Sequence, residues 1–132
     1  MNQTEPLSSC FFATYLSDEM SPECISRICN IRMTKIEIPK ILFKNPCKEV
    51  YIALSIRDSK HLLRSSPIVL SDITGDTYVI NVDFTFSIRY SHYSKRKYNI
   101  LNIFLERRRT LNNKTVSRHK TIASSLIDLS WY

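Results

Sequence analysis

The sequence predicts an all-β fold, an antiparallel β-sandwich of about eight strands. Apolar and polar residues alternate in several runs, which is typical of strands with one buried face. Turn-forming residues separate these runs at intervals of about 10–15 residues, as expected of a sandwich. No window shows the apolar stripe of a helix. The 132 residues, 43% of them hydrophobic, suffice for one domain with its own core.

The longest alternating run places seven apolar side chains on one face between Tyr78 and Tyr90. This pattern predicts a long strand whose inner face is buried. Val50 to Ile56 repeat the pattern over four apolar positions, and Leu101 to Leu105 over three. The apolar faces of the first two strands are predicted to meet in one core.

A fourth run alternates from Cys29 to Met33 and resumes at Ile36 and Ile38. Its phase slips by one residue, which predicts a β-bulge within a long strand. Shorter strands are expected at 11–16, 67–70, 116–122 and 126–131. Residues 1–9 lack periodicity, so they are expected to form a flexible tail before a domain that spans 10–132.

Several function classes are disfavoured by what the sequence lacks. A single glycine, Gly75, cannot supply a glycine-rich phosphate loop. The cysteines and histidines lack zinc-ligand spacing, and the aspartates form no Asp-x-Asp pair for calcium. No nucleophile motif marks a catalytic site. The sequence therefore predicts no enzyme, no cofactor and no metal. It shows neither a signal peptide nor an apolar membrane span, so free cysteines in a reducing compartment are expected.

Positive charge is concentrated in one part of the chain. The formal net charge is +7. Residues 89–120 alone contain ten Lys and Arg and one acidic residue, Glu106. Such a density attracts polyanions: nucleic acid, anionic lipid, or an acidic or phosphorylated peptide. No nucleic-acid-reading motif is present, so nucleic acid is not an expected partner. Anionic membrane surfaces remain an alternative to a peptide.

Several collinear segments resemble one family, the phosphofurin acidic cluster sorting (PACS) proteins, at their N-terminal cargo-binding (furin-binding) region. They are Phe12–Tyr15, Cys24–Cys29, Ser59–Ser65, Ile68–Leu70, Phe84–Arg96, Leu105–Arg109, Asn113–Thr115 and Lys120–Ala123. The resemblance implies a C2-like β-sandwich. Because family members are far longer, it also implies that this chain is a first domain or a fragment of a longer protein.

The resemblance further implies a non-enzymatic sorting adaptor in the cytoplasm, peripheral to the trans-Golgi network and endosomes. Such an adaptor binds acidic clusters, phosphorylated by casein kinase II, in the cytosolic tails of membrane cargo. It links that cargo to clathrin adaptor complexes for transport between endosomes and the trans-Golgi network.

Two basic runs suit the recognition of phosphate, because Arg offers a planar fork and Lys a mobile charge. One run is Lys95, Arg96 and Lys97 in a predicted turn, and the other is Arg107, Arg108 and Arg109 just past a strand. If the strands at 84–90 and 100–106 form a hairpin, their ends lie near each other. Other basic residues could extend the surface: Arg89, Lys114, Arg118 and Lys120.

The resemblance places two further contacts on the chain. Kinase docking would use Arg107, Arg108 and Arg109, although the following Thr110 and Leu111 depart from the family's pattern. Clathrin-adaptor contact would use the segment from Val79 to Phe86, whose acidic start is missing here. Because inward residues of that strand are predicted to pack in the core, only the outward ones could touch an adaptor. These are Val79, Asn81, Asp83 and Thr85.

Overall fold

A computed structural model describes residues 8–16, 24–43, 47–57, 61–70, 75–94, 99–111 and 114–131. For Ser8, 109–111 and 114–118 only the backbone is described. The strands are β1 (Ser8–Tyr15), β2 (Cys24–Pro39), β3 (Glu49–Ile56), β4 (Leu63–Arg64), β5 (Ile68–Val69), β6 (Thr77–Tyr93), β7 (Ile100–Leu111) and β8 (Lys114–Asp128). Two short 3₁₀ turns, Lys40–Leu42 and Leu129–Trp131, complete the described elements.

The strands form two sheets, and the predicted all-β sandwich is confirmed. One sheet has the order β1-β6-β2, and the other has the order β4-β3-β7-β8 with β5 also paired to β3. One pair departs from the antiparallel arrangement, because β1 runs parallel to β6. The separate strands expected at 116–122 and 126–131 are wrong: one strand, β8, covers most of this region and a 3₁₀ turn follows it.

The core lies between the inner faces of β6 and β3, as the alternation predicts. Phe86 and Ile88 are fully buried, and Phe11 of β1 stacks on Phe86 with ring centroids 5.0 Å apart. The opposing sheet contributes Leu54 and Leu101 to the same apolar cluster. The predicted bulge in β2 is confirmed by a register shift between Met33 and Lys35.

Strand β3 is buried on both faces, which its alternation does not predict. Tyr51, Ala53 and Ser55 point away from the core and are nevertheless buried. They are covered because β3 lies between β4 and β7, whose side chains close over this outer face. A two-residue strand such as β4 has too little pattern to be recognised from the sequence.

The hairpin considered for 84–90 and 100–106 is wrong, because β6 and β7 belong to different sheets. The connection between them is held at its base by Asn99, a buried side chain. The Asn99 amide donates to the Tyr93 carbonyl (2.7 Å) and accepts from the Tyr93 amide (2.8 Å). Asn99 also accepts, through its main-chain oxygen, from the Leu129 amide (2.7 Å). These hydrogen bonds anchor the residue that directly precedes β7.

Candidate functional site

The two predicted basic runs are attached to opposite ends of β7. Lys95, Arg96 and Lys97 lie outside the described residues, but the described Asn99 directly precedes β7. Arg108 lies nine positions further along, or about 30 Å in an extended strand. Because β6 and β7 belong to different sheets, no hairpin brings the start of β7 next to Arg107 and Arg108.

The far end of β7 pairs its arginines with basic residues of β8. Arg107 lies opposite Lys120, and Arg108 lies opposite His119. We call these four residues the basic rungs. Side chains directly opposite in an antiparallel pair have Cβ atoms about 4.5–5.5 Å apart, and like charges there repel. One anion is therefore within reach of both Arg107 and Lys120.

One rung packs on an aromatic support. The Arg108 guanidinium lies 5.8 Å from the centroid of the Tyr51 ring, and the His119 ring meets Tyr51 edge-on at 4.9 Å. Burial raises the pKa of Tyr51, whose hydroxyl donates to a Glu49 carboxylate oxygen (2.9 Å). Tyr51 thus restricts the positions of two cationic or potentially cationic groups, which lowers the entropy cost of ordering them around a ligand.

The single acidic residue of the basic region is neutralised by an ion pair. Glu106 is only 4% exposed, and its Oε1 accepts from the Arg64 Nε at 2.7 Å. Arg64 comes from β4 and reaches across β3 to do so. Because Arg64 balances Glu106, this buried carboxylate does not need a rung residue to neutralise it.

His119 responds to this electrostatic environment. Desolvation lowers its pKa most, and the nearby Arg64 and Arg108 cations lower it further, while Glu106 opposes them. The imidazole is therefore mostly neutral at pH 7 and gains its charge only in more acid solution. A bound polyanion would favour the charged ring, so binding to this rung is coupled to proton uptake.

A groove with a volume of about 390 Å³ lies beside the rungs on the outer face of the larger sheet. It is lined by Ser55, Arg57, Leu62, Asn102, Phe104, Glu106 and Thr121. Arg57 is the one cation among these lining residues, and Glu106 is already paired with Arg64. Each rung places an arginine opposite a second basic residue, so the rungs are the stronger candidate for a polyanion.

The remaining predicted anion-binding residues have different positions. Arg89 is exposed on the outer face of the smaller sheet, opposite Ile28 of β2, on the other side of the sandwich from Arg108. Arg109 and Lys114 belong to β7 and β8 near their connection, but their side chains lie outside the described residues. Lys114 pairs with Leu111, so its backbone is at the same end as the rungs.

The four residues predicted to face outward for an adaptor do so. Val79 and Asn81 are exposed, while Asp83 and Thr85 are half-buried. Asp83 accepts from the Arg32 Nε at 3.0 Å, so one of the four is engaged in an ion pair within the sheet. Their outward orientation is confirmed, and their contact with an adaptor stays a prediction.

Tyr51, Arg64 and Asn99 are site or supporting residues that sequence reasoning missed. Only pairing information could have found the first two, because they reach the rungs from strands that are distant along the chain. Asn99 had a local signal, since an isolated Asn at a strand start suits a side chain that bonds nearby backbone.

The described ranges also bear on metal ligation, disulfides and membrane-spanning helices. No group of three or more His, Cys, Asp or Glu that could hold a metal ion occurs there. Cys10, Cys24, Cys29 and Cys47 are not joined in disulfides. Within those same ranges, no helix is long and apolar enough to cross a membrane.

Two face-to-face sheets with basic groups on neighbouring strands of one of them define a C2-like β-sandwich domain. Residues 7–131 match the family model described as the N-terminal C2 domain of phosphofurin acidic cluster sorting protein. The chain therefore belongs to the PACS family and corresponds to its N-terminal C2 domain.

Individual relatives agree with this assignment. The chain is 36% identical over 125 residues to phosphofurin acidic cluster sorting protein 2 from Homo sapiens. The matched stretch is 95% of this chain and 14% of that relative. It is 33% identical to phosphofurin acidic cluster sorting protein 1 from Homo sapiens, and this match covers 95% of the chain and 13% of that relative. It thus spans about a seventh of the length of these relatives. No solved structure gives a significant match.

Proposed function

We propose that this chain is a non-enzymatic adaptor domain that binds acidic, casein kinase II-phosphorylated clusters in the cytosolic tails of membrane cargo. It links that cargo to clathrin adaptors for traffic between endosomes and the trans-Golgi network, and it acts in the cytoplasm. The observation that carries the proposal is the pair of basic rungs, whose neighbouring carboxylate is neutralised by Arg64. Membership of a sorting-protein family supports the same role.

The chemistry of the rungs suits a phosphorylated ligand. A phosphoserine carries about −1.5 to −2 charges and three acceptor oxygens. The Arg107 fork and the Lys120 ammonium can each donate to one phosphate held between them. Arg108 and His119 lie on the other side of the sheet, because successive residues of a strand face opposite sides. One phosphate therefore meets one rung only, and a ligand with several anionic groups reaches both rungs by passing round the edge strand β8.

Kinase and adaptor contacts are assigned to different surfaces. Casein kinase II would dock on Arg107, Arg108 and Arg109, so it would compete with cargo for the same end of β7. The clathrin adaptor would contact the outer face of the smaller sheet through Val79, Asn81, Asp83 and Thr85. Since the rungs belong to the larger sheet, cargo and adaptor could bind together.

An anionic membrane surface is the second candidate, and a different surface favours it. On the outer face of the smaller sheet, exposed Phe12 and Ile28 lie near the exposed cation Arg89. Apolar side chains beside a cation suit insertion into a headgroup region. This candidate predicts that Arg89→Glu weakens vesicle binding and leaves peptide binding unchanged.

The test is titration of a labelled, doubly phosphorylated acidic peptide at two salt concentrations. Wild type is expected to bind in the micromolar range. The Arg107→Ala/Arg108→Ala variant should lose more than about tenfold in affinity. Arg32→Ala/Lys35→Ala is the matched control, because it removes the same charge from exposed positions on β2. If both variants lost the same affinity for the peptide, binding would depend on overall charge and not on the rungs, and the proposal would be contradicted.

A further inference from the structure

Strand β8 forms a long free edge of the larger sheet. In the order β4-β3-β7-β8 it is outermost, and in the described part of the chain it pairs only with β7. It runs for 15 residues, and an edge strand presents a row of amide and carbonyl groups that can pair with another chain. The stretch from Ala123 to Asp128 keeps an unbroken register with Leu105 to Ile100.

This edge lacks the usual protection over its second half. Between Thr121 and Ile127 there is neither a proline nor a charged residue. Ser124, Ser125 and Leu126 are exposed there, and Leu126 is 62% exposed despite its apolar side chain. Edge strands are commonly guarded by charges, prolines or bulges.

Strand β2, the long edge of the smaller sheet, has all three guards. It carries a bulge between Met33 and Lys35, ends at Pro39, and presents Arg32 and Lys35 to solvent. Strand β1, the other edge of the smaller sheet, also lacks proline, charge and a register shift from Ser8 to Tyr15, but it belongs to the sheet without the rungs. Strand β8 is therefore the unguarded edge that adjoins the basic rungs. A register shift between Ala123 and Thr121 divides β8 into this neutral half and a basic half that contains the rungs.

The charge along β8 specifies the partner. Lys120 and His119 are near the middle of β8, beside Arg107 and Arg108, whereas Asp128 ends the strand. An added strand would therefore place acidic groups beside Lys120 and uncharged residues along the neutral half. From Lys120 to Leu126 is six residues, or about 20 Å in extended conformation.

We infer that the acidic cargo segment binds by adding a strand to the β8 edge. Its anionic cluster lies at the basic rungs, and an uncharged stretch of about six residues next to the cluster pairs with Ala123–Ile127. This inference rests on the proposed function and deepens it, because backbone pairing recognises an extended segment that charge alone cannot distinguish. Leu126 offers an apolar contact to a residue of that stretch.

The deciding experiment leaves the protein unchanged. A phosphorylated acidic peptide with its uncharged flank is made as a series, each member carrying one N-methyl group on the backbone of the flank. Methylation removes a donor and blocks close approach, so affinity should fall about tenfold at every second position and little at the positions between them. Amide hydrogen exchange should show protection in β8 between Ala123 and Ile127 on binding, with the amides of β2 as an internal control.

A variant pair gives an independent check. Leu126→Asp should weaken binding of the flanked peptide more than that of a peptide containing only the cluster. Ile41→Asp is the matched control, since Ile41 is 90% exposed and lies in the 3₁₀ turn after β2. Both side chains are exposed, so both variants should keep the wild-type fold.

The outcomes separate the two proposals. Absence of any phosphopeptide binding would refute the proposed function itself. Binding that ignores methylation and leaves β8 unprotected would refute strand addition alone. Protection of the same β8 amides without peptide, in a concentration-dependent dimer, would assign this edge to a second copy of the chain and overturn the inference.

Discussion

The ion pair between Arg64 and Glu106 gives the sharpest stability prediction. Arg64→Met keeps much of the side-chain volume but removes the guanidinium, so the nearly buried Glu106 carboxylate loses its cation. Breaking a buried pair costs about 3–5 kcal/mol. The Arg64 side chain is 32% exposed, and water reaching it should reduce the cost to about 2–3 kcal/mol.

This loss is large enough to measure by thermal denaturation. At about 4 °C per kcal/mol for a domain of this size, the melting temperature should fall by about 8–12 °C. Arg64→Met combined with Glu106→Gln removes both charges and should recover much of the loss, because no unpaired charge remains buried.

A second ion pair provides the control. Arg32 and Asp83 are joined at 3.0 Å, but the Arg32 side chain is 68% exposed. Arg32→Met should therefore cost less than about 1 kcal/mol. If Arg64→Met lowered the melting temperature no more than Arg32→Met does, burial of Glu106 would not govern the strength of the pair, and the reasoning would fail.

Four further outcomes are expected. Phe86→Asp should abolish cooperative thermal unfolding, because it buries a carboxylate at a fully buried position; an unchanged transition would contradict the core assignment. Asn99→Ala should lower the free energy of unfolding by about 2–3 kcal/mol in urea titration, since both Tyr93 main-chain groups lose their partner; a loss below about 0.5 kcal/mol would show that water replaces it. The pKa of His119 is lowered in the folded state, so the unfolded chain binds the proton more readily and the free energy of unfolding should fall as pH drops below about 6.5. His119→Gln should flatten that part of the plot of stability against pH. A plot identical to that of wild type would count against the lowered pKa. Calcium at about 1 mM should leave the melting temperature unchanged, and a saturable rise would reveal a site.

The sequence predicts which face of a strand is buried better than it predicts which strands pair. Alternation from Tyr78 to Tyr90 reports directly which side chains are buried, because the period of a strand is two. The slip between Met33 and Ile36 reports the bulge for the same reason. Both are local properties, so they can be read without knowing what the strand pairs with.

Pairing is a long-range property, and there the sequence is less informative. The alternation of β3 indicates one buried face, but Tyr51 and Ser55 are buried as well because β4 and β7 flank that strand. The runs at 84–90 and 100–106 are close in sequence, yet Asn99 directs the second into the other sheet. The opposition of Arg107 to Lys120 depends on the β7–β8 register, with its two shifts, which no alternation pattern encodes.

The fold disperses the charge that the sequence concentrates. Arg89 is on one outer face, Arg108 on the other, and Arg107 points to the opposite side of its own strand. No described surface therefore carries the full charge of residues 89–120. One rung offers two cations, Arg107 and Lys120, and the other offers Arg108 beside an imidazole that is mostly neutral at pH 7. Sites of that size bind weakly and are sensitive to salt, and they accept many polyanions alike. Discrimination among acidic ligands must then come from contacts other than charge, and the unguarded edge of β8 is the described feature next to the rungs that can read the backbone of an extended chain.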